Sequence, residues 1–386
     1  VLSDLGMHEL EFVLWDGSRV HLPAATPAYR LVVRDRLALW GLLAFAEYYF
    51  PEMYAQGRVL VEGDLEGLLE VIQRARLGLD PNRLTRRLAC ALFRPSEGSQ
   101  KRARENIQHH YDLGNDFYRL WLDERMQYTC AYYADPEMTL EQAQVAKMDH
   151  VCRKLRLKPG ERVVEAGCGW GSLALLMALN YGVWVRAFNL SRSQIAFARE
   201  RVDREGLSGQ VVYVEDDYRN IQGECDAFVS VGMLEHVGTR DYPDLGRTMD
   251  RCLAPDGRGL IHTIGSDRPG PMNSWIERRI FPGAYPPALE ELTPMFGSHG
   301  FTVLDVENLR PHYAKTLAHW LERFEAARDR ISVMSDGQFI RSWRFYLASS
   351  QSAFAAGHLQ LYQVLFARRG ASDIPWSREY MYRDGG

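Results

Sequence analysis

The chain opens on alternating apolar and polar positions and soon changes to helical spacing. "LEFVLWDGSRVHL" reads as two short strands around Asp16-Gly17, a dipeptide suited to a tight hairpin. "YRLVV" and "GRVLVEGD" are further strands, and Arg34 to Phe45 and Asp64 to Leu77 carry apolar residues at helical intervals. The pattern predicts a small α+β unit. "FRPSEGSQKRAR" then interrupts it with Pro, Ser and Gly, which places a boundary near Pro95. Residues 1–95 are expected to form a small N-terminal domain, suited to lipid, membrane or oligomer contact, and residues 96–386 the catalytic one.

Beyond that boundary strands and helices take turns. Thr139 to Leu155 is a helix: Thr139 and Gln142 have capping-box spacing, and Met148, Val151, Cys152 and Leu155 share one face. Strand "RVVEAG", a helix from Gly171, strand "VWVRAFNL" and a helix from Ser191 to Glu205 come next. They are followed by strands "VVYVED" and "CDAFVSVG", a helix from Tyr242 and strand "GLIHTI". The chain closes with a helix near Gln338 to Ala356 and the strand "LQLYQVLFAR". This alternation predicts an α/β, Rossmann-like domain with helical insertions, its parallel sheet covered on both faces.

Composition narrows the class. The 386 residues are 46% hydrophobic and 25% charged, and the net charge of −4 gives no reason to expect nucleic acid. No apolar run reaches the roughly 18–20 residues of a membrane span, and no signal peptide is evident. Six scattered cysteines form no CxxC pair, so reduced thiols in a cytoplasmic protein are expected, with no metal site.

"VVEAGCGWGS" carries the chemistry. An apolar strand ends at Glu165, and Gly167, Gly169 and Gly171 follow at every second position. A dinucleotide fingerprint needs a glycine where Ser172 stands, so that reading fails. Acid-x-Gly-x-Gly-x-Gly instead resembles motif I of the S-adenosylmethionine (AdoMet) methyltransferases, with Cys168 and Trp170 inside the loop. Glycines let a backbone approach a cofactor closely. Glu165 either orients that loop or receives the cofactor's ammonium. Asn189 ends the second strand, where a ribose-binding residue is expected, and Gln194 lies one turn into the next helix. Asp216 and Asp217 end the third strand, where an adenine amine needs an acceptor; helix capping is the competing use for such acids.

Further stretches make a family resemblance specific. "HHYDLGNDFYRLWLDERMQYTCAYY", "VSVGMLEHVG", "GLIHTIG", "RPHYAKTLAHWLERFE", "WIERRIFPG" and "RSWRFYLASSQSAFAAGHLQLYQVLF" are similar to signature segments of the bacterial cyclopropane-fatty-acyl-phospholipid synthases. The resemblance covers roughly residues 105 to 370 strongly. Thr129 stands where Ser is usual, and "PGAYPP" departs from the family's pattern at the acyl-channel lining. The resemblance implies transfer of the AdoMet methyl to a cis double bond in an intact membrane phospholipid, closing a cyclopropane ring. It places Tyr128 and Thr129 at the cofactor and a bound bicarbonate as proton acceptor, held by Cys130, Glu235, His262, the backbone at Ile264, and Tyr313. The donor set suits such an ion: a Tyr hydroxyl, a His N–H and a backbone N–H donate, and a carboxylate accepts its hydroxyl. Without the resemblance, Cys130 reads equally as a small buried hydrophobe, His262 as a core histidine and Glu235 as a helix cap.

A lipid substrate implies reversible binding to a membrane surface, peripheral at the inner face, with a homodimer as one option. Seven basic residues and one acid between Arg83 and Arg104, with Arg83, Arg87 and Arg94 on one face, fit lipid docking or a surface helix. Three alternatives share the sequence pattern: a lipid C-methyltransferase making a methylene or methyl branch, a small-amine N-methyltransferase, and a non-catalytic lipid-binding protein.

Overall fold

A computed structural model describes residues 10–21, 27–78 and 113–382. The expected boundary near Pro95 and the basic segment Arg83 to Arg104 lie outside those residues. Two compact units are present, and they do not follow a single cut. The described residues up to 78 group with Gly270–Pro282 and Tyr313–Leu359; the second unit holds the described residues from 113 to 269, Gly283–His312 and those from Gln360 onward.

In the first unit the sheet has the order β2-β1-β3-β4, formed by β1 (Leu10–Val13), β2 (Arg19–Val20), β3 (Tyr29–Val33) and β4 (Val59–Glu62). β1 and β2 are the expected antiparallel pair, and Gly17 supplies the left-handed backbone between them (φ 82°). The helix Arg36–Ala55 is capped by the Asp35 side chain and outruns the expected end. Phe45 leaves helical geometry (φ −159°, ψ 77°), and the chain then resumes helix. Before the break Leu37, Trp40 and Leu43 are 61%, 68% and 69% exposed; after it Phe50, Met53 and Tyr54 are buried.

Packing explains why later segments join this unit. Phe345, on the helix Gly337–Ala356, meets the rings of Phe50 and Trp275 edge-on at 5.4 and 5.6 Å. Glu52 accepts from Trp275 Nε1 at 3.0 Å and from Arg279 at 2.6 and 3.1 Å. Arg341 donates to the Ala55 carbonyl at 2.8 Å. These partners are over 200 residues apart in sequence, so a boundary drawn from composition at one point does not find them.

The second unit is built on a seven-stranded sheet of order β10-β11-β9-β8-β5-β6-β7. Its strands are β5 (Arg162–Ala166), β6 (Trp184–Asn189), β7 (Val211–Glu215), β8 (Cys225–Val231), β9 (Leu253–Ser266), β10 (Phe301–Asn308) and β11 (Leu359–Arg368). β5 to β9 pair in parallel as expected, but β10 and β11 pair antiparallel, which corrects the all-parallel reading. Between those two strands the chain runs through helices of the other unit, so no crossover helix sets their direction.

Successive residues of the central strands serve opposite faces. Val163, Ala227 and Val229 join a core with the helices Leu140–Lys154, Ser172–Tyr181 and Arg192–Arg204. Val164 and Phe228 join another with the helices Tyr242–Cys252 and Leu289–Gly297. Each large aliphatic or aromatic side chain so buried contributes about 1.5–3 kcal/mol. The Thr139–Gln142 capping box forms as the spacing predicts. Among the described residues no helix is long and apolar enough to cross a membrane.

Candidate active site

β5 pairs with β6 on one side and β8 on the other, and the strand order reverses there, so its carboxyl end opens onto a crevice of the kind that receives ligands in such sheets. Three stretches converge on it. A side chain at Gly167 would come within 2.7 Å of Met233 in the turn after β8, and one at Gly232 within 2.8 Å of Thr129. The loops after β5 and β8 therefore touch, and the Tyr128–Cys130 stretch closes against the second.

The three glycines have three reasons. Gly167 (φ 85°) makes room for Met233, and its N–H donates to the Phe188 carbonyl at 2.9 Å. Gly171 (φ 80°) clears the Tyr213 ring, whose hydroxyl donates to the Gly171 carbonyl at 2.6 Å. Gly169 is left-handed (φ 53°), yet a side chain there would meet nothing within 4 Å. A side chain added at Gly169 would therefore enter open space, whereas one at Gly167 or Gly171 would meet a protein side chain.

The polar residues of this half are mostly committed to the scaffold. Asn189 donates to the Gly169 carbonyl at 3.2 Å and to Gln194 Oε1 at 2.7 Å, and its own Oδ1 accepts from Leu190 and Ser191 N–H groups. It fixes the glycine loop to the start of the next helix, a different use from the ribose contact expected of it. Gln194 is buried beside it. Asp217 is buried, caps the short 3-10 turn Tyr218–Asn220 and binds Arg219 through both oxygens at 2.8 and 2.9 Å, so the capping use wins over the adenine one. Asp216 is half-buried and accepts from Asn220 at 2.7 Å, so of the two acids it is the less buried.

Glu165 is 2% exposed and points to the face of the helix Leu140–Lys154. Burial raises its pKa to about 8 against the opposing pull of the Lys147 charge and the Ala174 N–H. Its Oε2 has no partner among the described residues. Lys147, itself fully buried and depressed to about 8 by burial, donates to Gln127 Oε1 at 2.5 Å and Thr129 Oγ1 at 2.8 Å. Gln144 donates to the Thr129 carbonyl at 2.8 Å. Lys147 and Gln144 went unnoticed in the sequence; the available signal was two polar residues three apart, beside the helix's apolar face. Tyr118, also unnoticed, packs its ring at a tilt against Tyr128 and Trp170 at 5.4 and 5.1 Å, and Trp170 donates to Asn115 Oδ1 at 2.8 Å.

The other half lies at β8 and β9. Glu235 is buried, and its Oε1 accepts from the Ile264 N–H at 2.5 Å. That N–H, expected to serve an ion, is spent on the carboxylate. Glu235 Oε2 has no partner among the described residues, and burial raises the carboxyl to about 7. His262 is buried in β9; Gln363 of β11 contacts its Nδ1 at 3.0 Å, and its Nε2 is another buried atom with no described partner. Burial first, then the neighbouring cations, hold its pKa well below the ordinary histidine value. Cys130 is fully buried with its thiol on the Ala131 carbonyl at 3.1 Å. Tyr313 belongs to the first unit, where its ring packs on Phe354 at 4.5 Å.

The family profile described as "Mycolic acid cyclopropane synthetase" matches residues 98–364. The chain belongs to that family. It is 34% identical over 393 residues to a "Probable fatty acid methyltransferase" of Pseudomonas putida, covering 97% of this chain and 96% of that protein. It is 42% identical over 271 residues to the "Cyclopropane-fatty-acyl-phospholipid synthase" of Escherichia coli (strain K12), covering 70% and 69%. The fold is similar to that of a solved mycolic acid cyclopropane synthase complexed with SAH and CTAB, with a TM-score of 0.66, 31% identity and coverage of 69% and 98%. Membership of this family makes the protein an AdoMet-dependent lipid methyltransferase. The residues present fit the cofactor: Gly169 leaves room at the loop, and Glu165 Oε2 is a buried acceptor with no partner among the described residues.

Proposed function

We propose that this protein forms cyclopropane rings in unsaturated acyl chains of membrane phospholipid, using AdoMet, with a bound bicarbonate as proton acceptor. The observation that carries the reading is the pair of buried atoms Glu235 Oε2 and His262 Nε2, each without a partner among the described residues, with Glu235 bonded through its other oxygen to Ile264 on the strand of His262. Leaving each unsatisfied costs about 1–3 kcal/mol, and a small ion with one hydroxyl and two acceptor oxygens satisfies both.

AdoMet supplies an electrophilic methyl when bound. An alkene that takes it up becomes a carbocation, and a proton must then leave the added carbon as the ring closes. A dry crevice keeps water from trapping the cation, and the Glu235 carboxylate favours positive charge nearby. Glu165, Asp216, Gly169, Tyr128 and Thr129 are assigned to the cofactor. Cys130, Glu235 and His262 are assigned to the ion, with Ile264 acting through Glu235. Action at a membrane surface fits the exposed Leu37, Trp40 and Leu43 of the first unit, which form an apolar face of the kind that partners cover.

The Pseudomonas putida relative spans nearly the whole chain under the name of a fatty acid methyltransferase, which favours a second reading: a methyl or methylene branch instead of a ring. Product analysis separates the two. The full chain is incubated with AdoMet and vesicles of monounsaturated phospholipid, and the released fatty acids are examined by mass spectrometry and NMR. Cyclopropane methylene protons are expected, with slower turnover in decarbonated buffer and recovery on adding bicarbonate. Vinylic or branched-methyl signals would replace the ring reading, and indifference to bicarbonate would remove the ion.

A further inference from the structure

Gln363 occupies an unusual place for an amide. β11 is apolar around it, with Tyr362, Val364, Leu365 and Phe366 all buried, and Gln363 itself is 0% exposed. Such burial costs free energy unless the amide is used, and of its two polar atoms only Nε2 has a partner among the described residues, Oε1 having none. Its Nε2 lies 3.0 Å from His262 Nδ1 on the neighbouring strand. We propose that Gln363 is a positioning residue that fixes His262 in the tautomer protonated on Nε2, so that the imidazole meets its ligand as a neutral donor and not as a base. The inference deepens the reading above and rests on it for the identity of the ligand.

The argument follows from what each nitrogen is able to do. An amide nitrogen only donates, so the Nδ1 facing it accepts, and the single proton of a neutral imidazole sits on Nε2. That nitrogen is the buried atom without a described partner, so its proton is left for a ligand that reaches it. The surroundings keep the ring neutral. Lys147, His150 and Lys154 face it from the helix Leu140–Lys154 and oppose a second charge, burial opposes it more, and Glu307 of β10 alone favours it. A carboxylate at position 363 would do the reverse: it would place a proton on Nδ1 and stabilise the imidazolium. The amide turned end for end would also protonate Nδ1 and leave Nε2 a bare acceptor. The two arrangements therefore give opposite chemistry at one atom.

The tautomer is read directly in the wild-type full chain labelled with 15N-histidine, the His262 signals being identified by their loss in His262→Asn. Protonated Nε2 with unprotonated Nδ1 is expected; a proton on Nδ1 overturns the proposal without any variant having to fold. Gln363→Glu supplies the kinetic test, with an AdoMet affinity unchanged within about twofold as the check on its fold. Below the raised imidazolium pKa the variant keeps a donor on Nε2. Above it the remaining proton stays on Nδ1, so the apparent KM for added bicarbonate is expected to rise about 10- to 150-fold as pH increases, the loss of one hydrogen bond to a charged group. Turnover at saturating bicarbonate should change far less, and the wild type should lack this pH limb. Wild-type bicarbonate dependence across pH in a folded Gln363→Glu sinks the positioning role. If wild-type turnover ignores bicarbonate altogether, the ion falls while the NMR result still decides the tautomer.

Discussion

The two halves of the crevice treat their polar groups in opposite ways. Around the glycine loop most side chains are spent: Asn189 holds Gly169 and Gln194, Asp217 holds Arg219, and Lys147 holds Gln127 and Thr129. At β8 and β9 the polar atoms are anchored on one side and unpaired on the other, as in Glu235 and His262. The first half is mostly a finished scaffold, with Glu165 Oε2 the exception, and its expected recognition lies in backbone shape. The second leaves buried polar atoms without a partner among the described residues, which is costly, and the proposed ion would complete it.

If backbone shape is what the glycine loop offers, filling it should do the most damage. Gly169→Val is expected to abolish AdoMet binding in a folded protein, but a branched residue at φ 53° is also strained. Gly169→Asn sharpens the test, since Asn tolerates that conformation and still occupies the space. Calorimetry should show both variants binding AdoMet at least about 100-fold more weakly, the loss of some 2.7 kcal/mol. Wild-type affinity in Gly169→Asn would mean that the loop's open side does not face the cofactor.

The second half should respond to charge more than to shape. Glu235→Gln keeps the bond from the Ile264 N–H and removes the charge. AdoMet binding is expected to stay near normal while turnover falls about 100- to 1,000-fold, the usual effect of losing one such electrostatic group. Because the carboxyl is raised to about 7, wild-type turnover should climb with pH through that region, as the carboxylate forms, and the variant should lack this limb. A steep fall in AdoMet affinity instead would merge the two halves into one site.

Sequence pattern reached these halves unequally. β5 to β9 and their helices were legible because period-2 and helical spacing are local, and motif I marked the loop. That pattern could not tell which glycine faces the ligand, since Met233 and Tyr213 meet Gly167 and Gly171 only in the fold. Nor could it reveal Gln363, which looks like one more residue of an apolar strand until His262 is set beside it. Nor does local pattern show that the helix Gly337–Ala356 groups with the first unit, since Phe50 and Phe345 are joined by packing alone. β10 and the helix Arg310–Ala326 were not predicted as elements; the half-buried pattern of β10 shows no clean alternation.

The smallest expected effect distinguishes the two buried carboxyls by their neighbours, and it reads stability in place of turnover. Glu235 ordinarily has a value of 4.5 and is raised to about 7 in the fold, mainly by burial. The folded state therefore holds that proton more tightly than the unfolded chain does. Stability is greatest below about pH 4.5, falls as pH rises towards 7 and is level above it, for a total loss of up to about 3 kcal/mol. Gln cannot ionise, so Glu235→Gln should match the wild type near the acid end and be the more stable protein at about pH 8.5, by at most that amount. Denaturant melts in decarbonated buffer without AdoMet are required, since a ligand of the native state would add its own stabilisation. Glu165 is raised further, to about 8, but the buried Lys147 cation lies beside it. Glu165→Gln relieves one buried charge and strands the other, so its gain at high pH should be smaller than that of Glu235→Gln, or reversed in sign. Equal gains in the two variants would mean that Lys147 does not compensate Glu165. Parallel stability curves for wild type and Glu235→Gln would mean that Glu235 is already satisfied in the ligand-free protein, and the contrast between a finished and an unfinished half would fail at the residue on which it most depends.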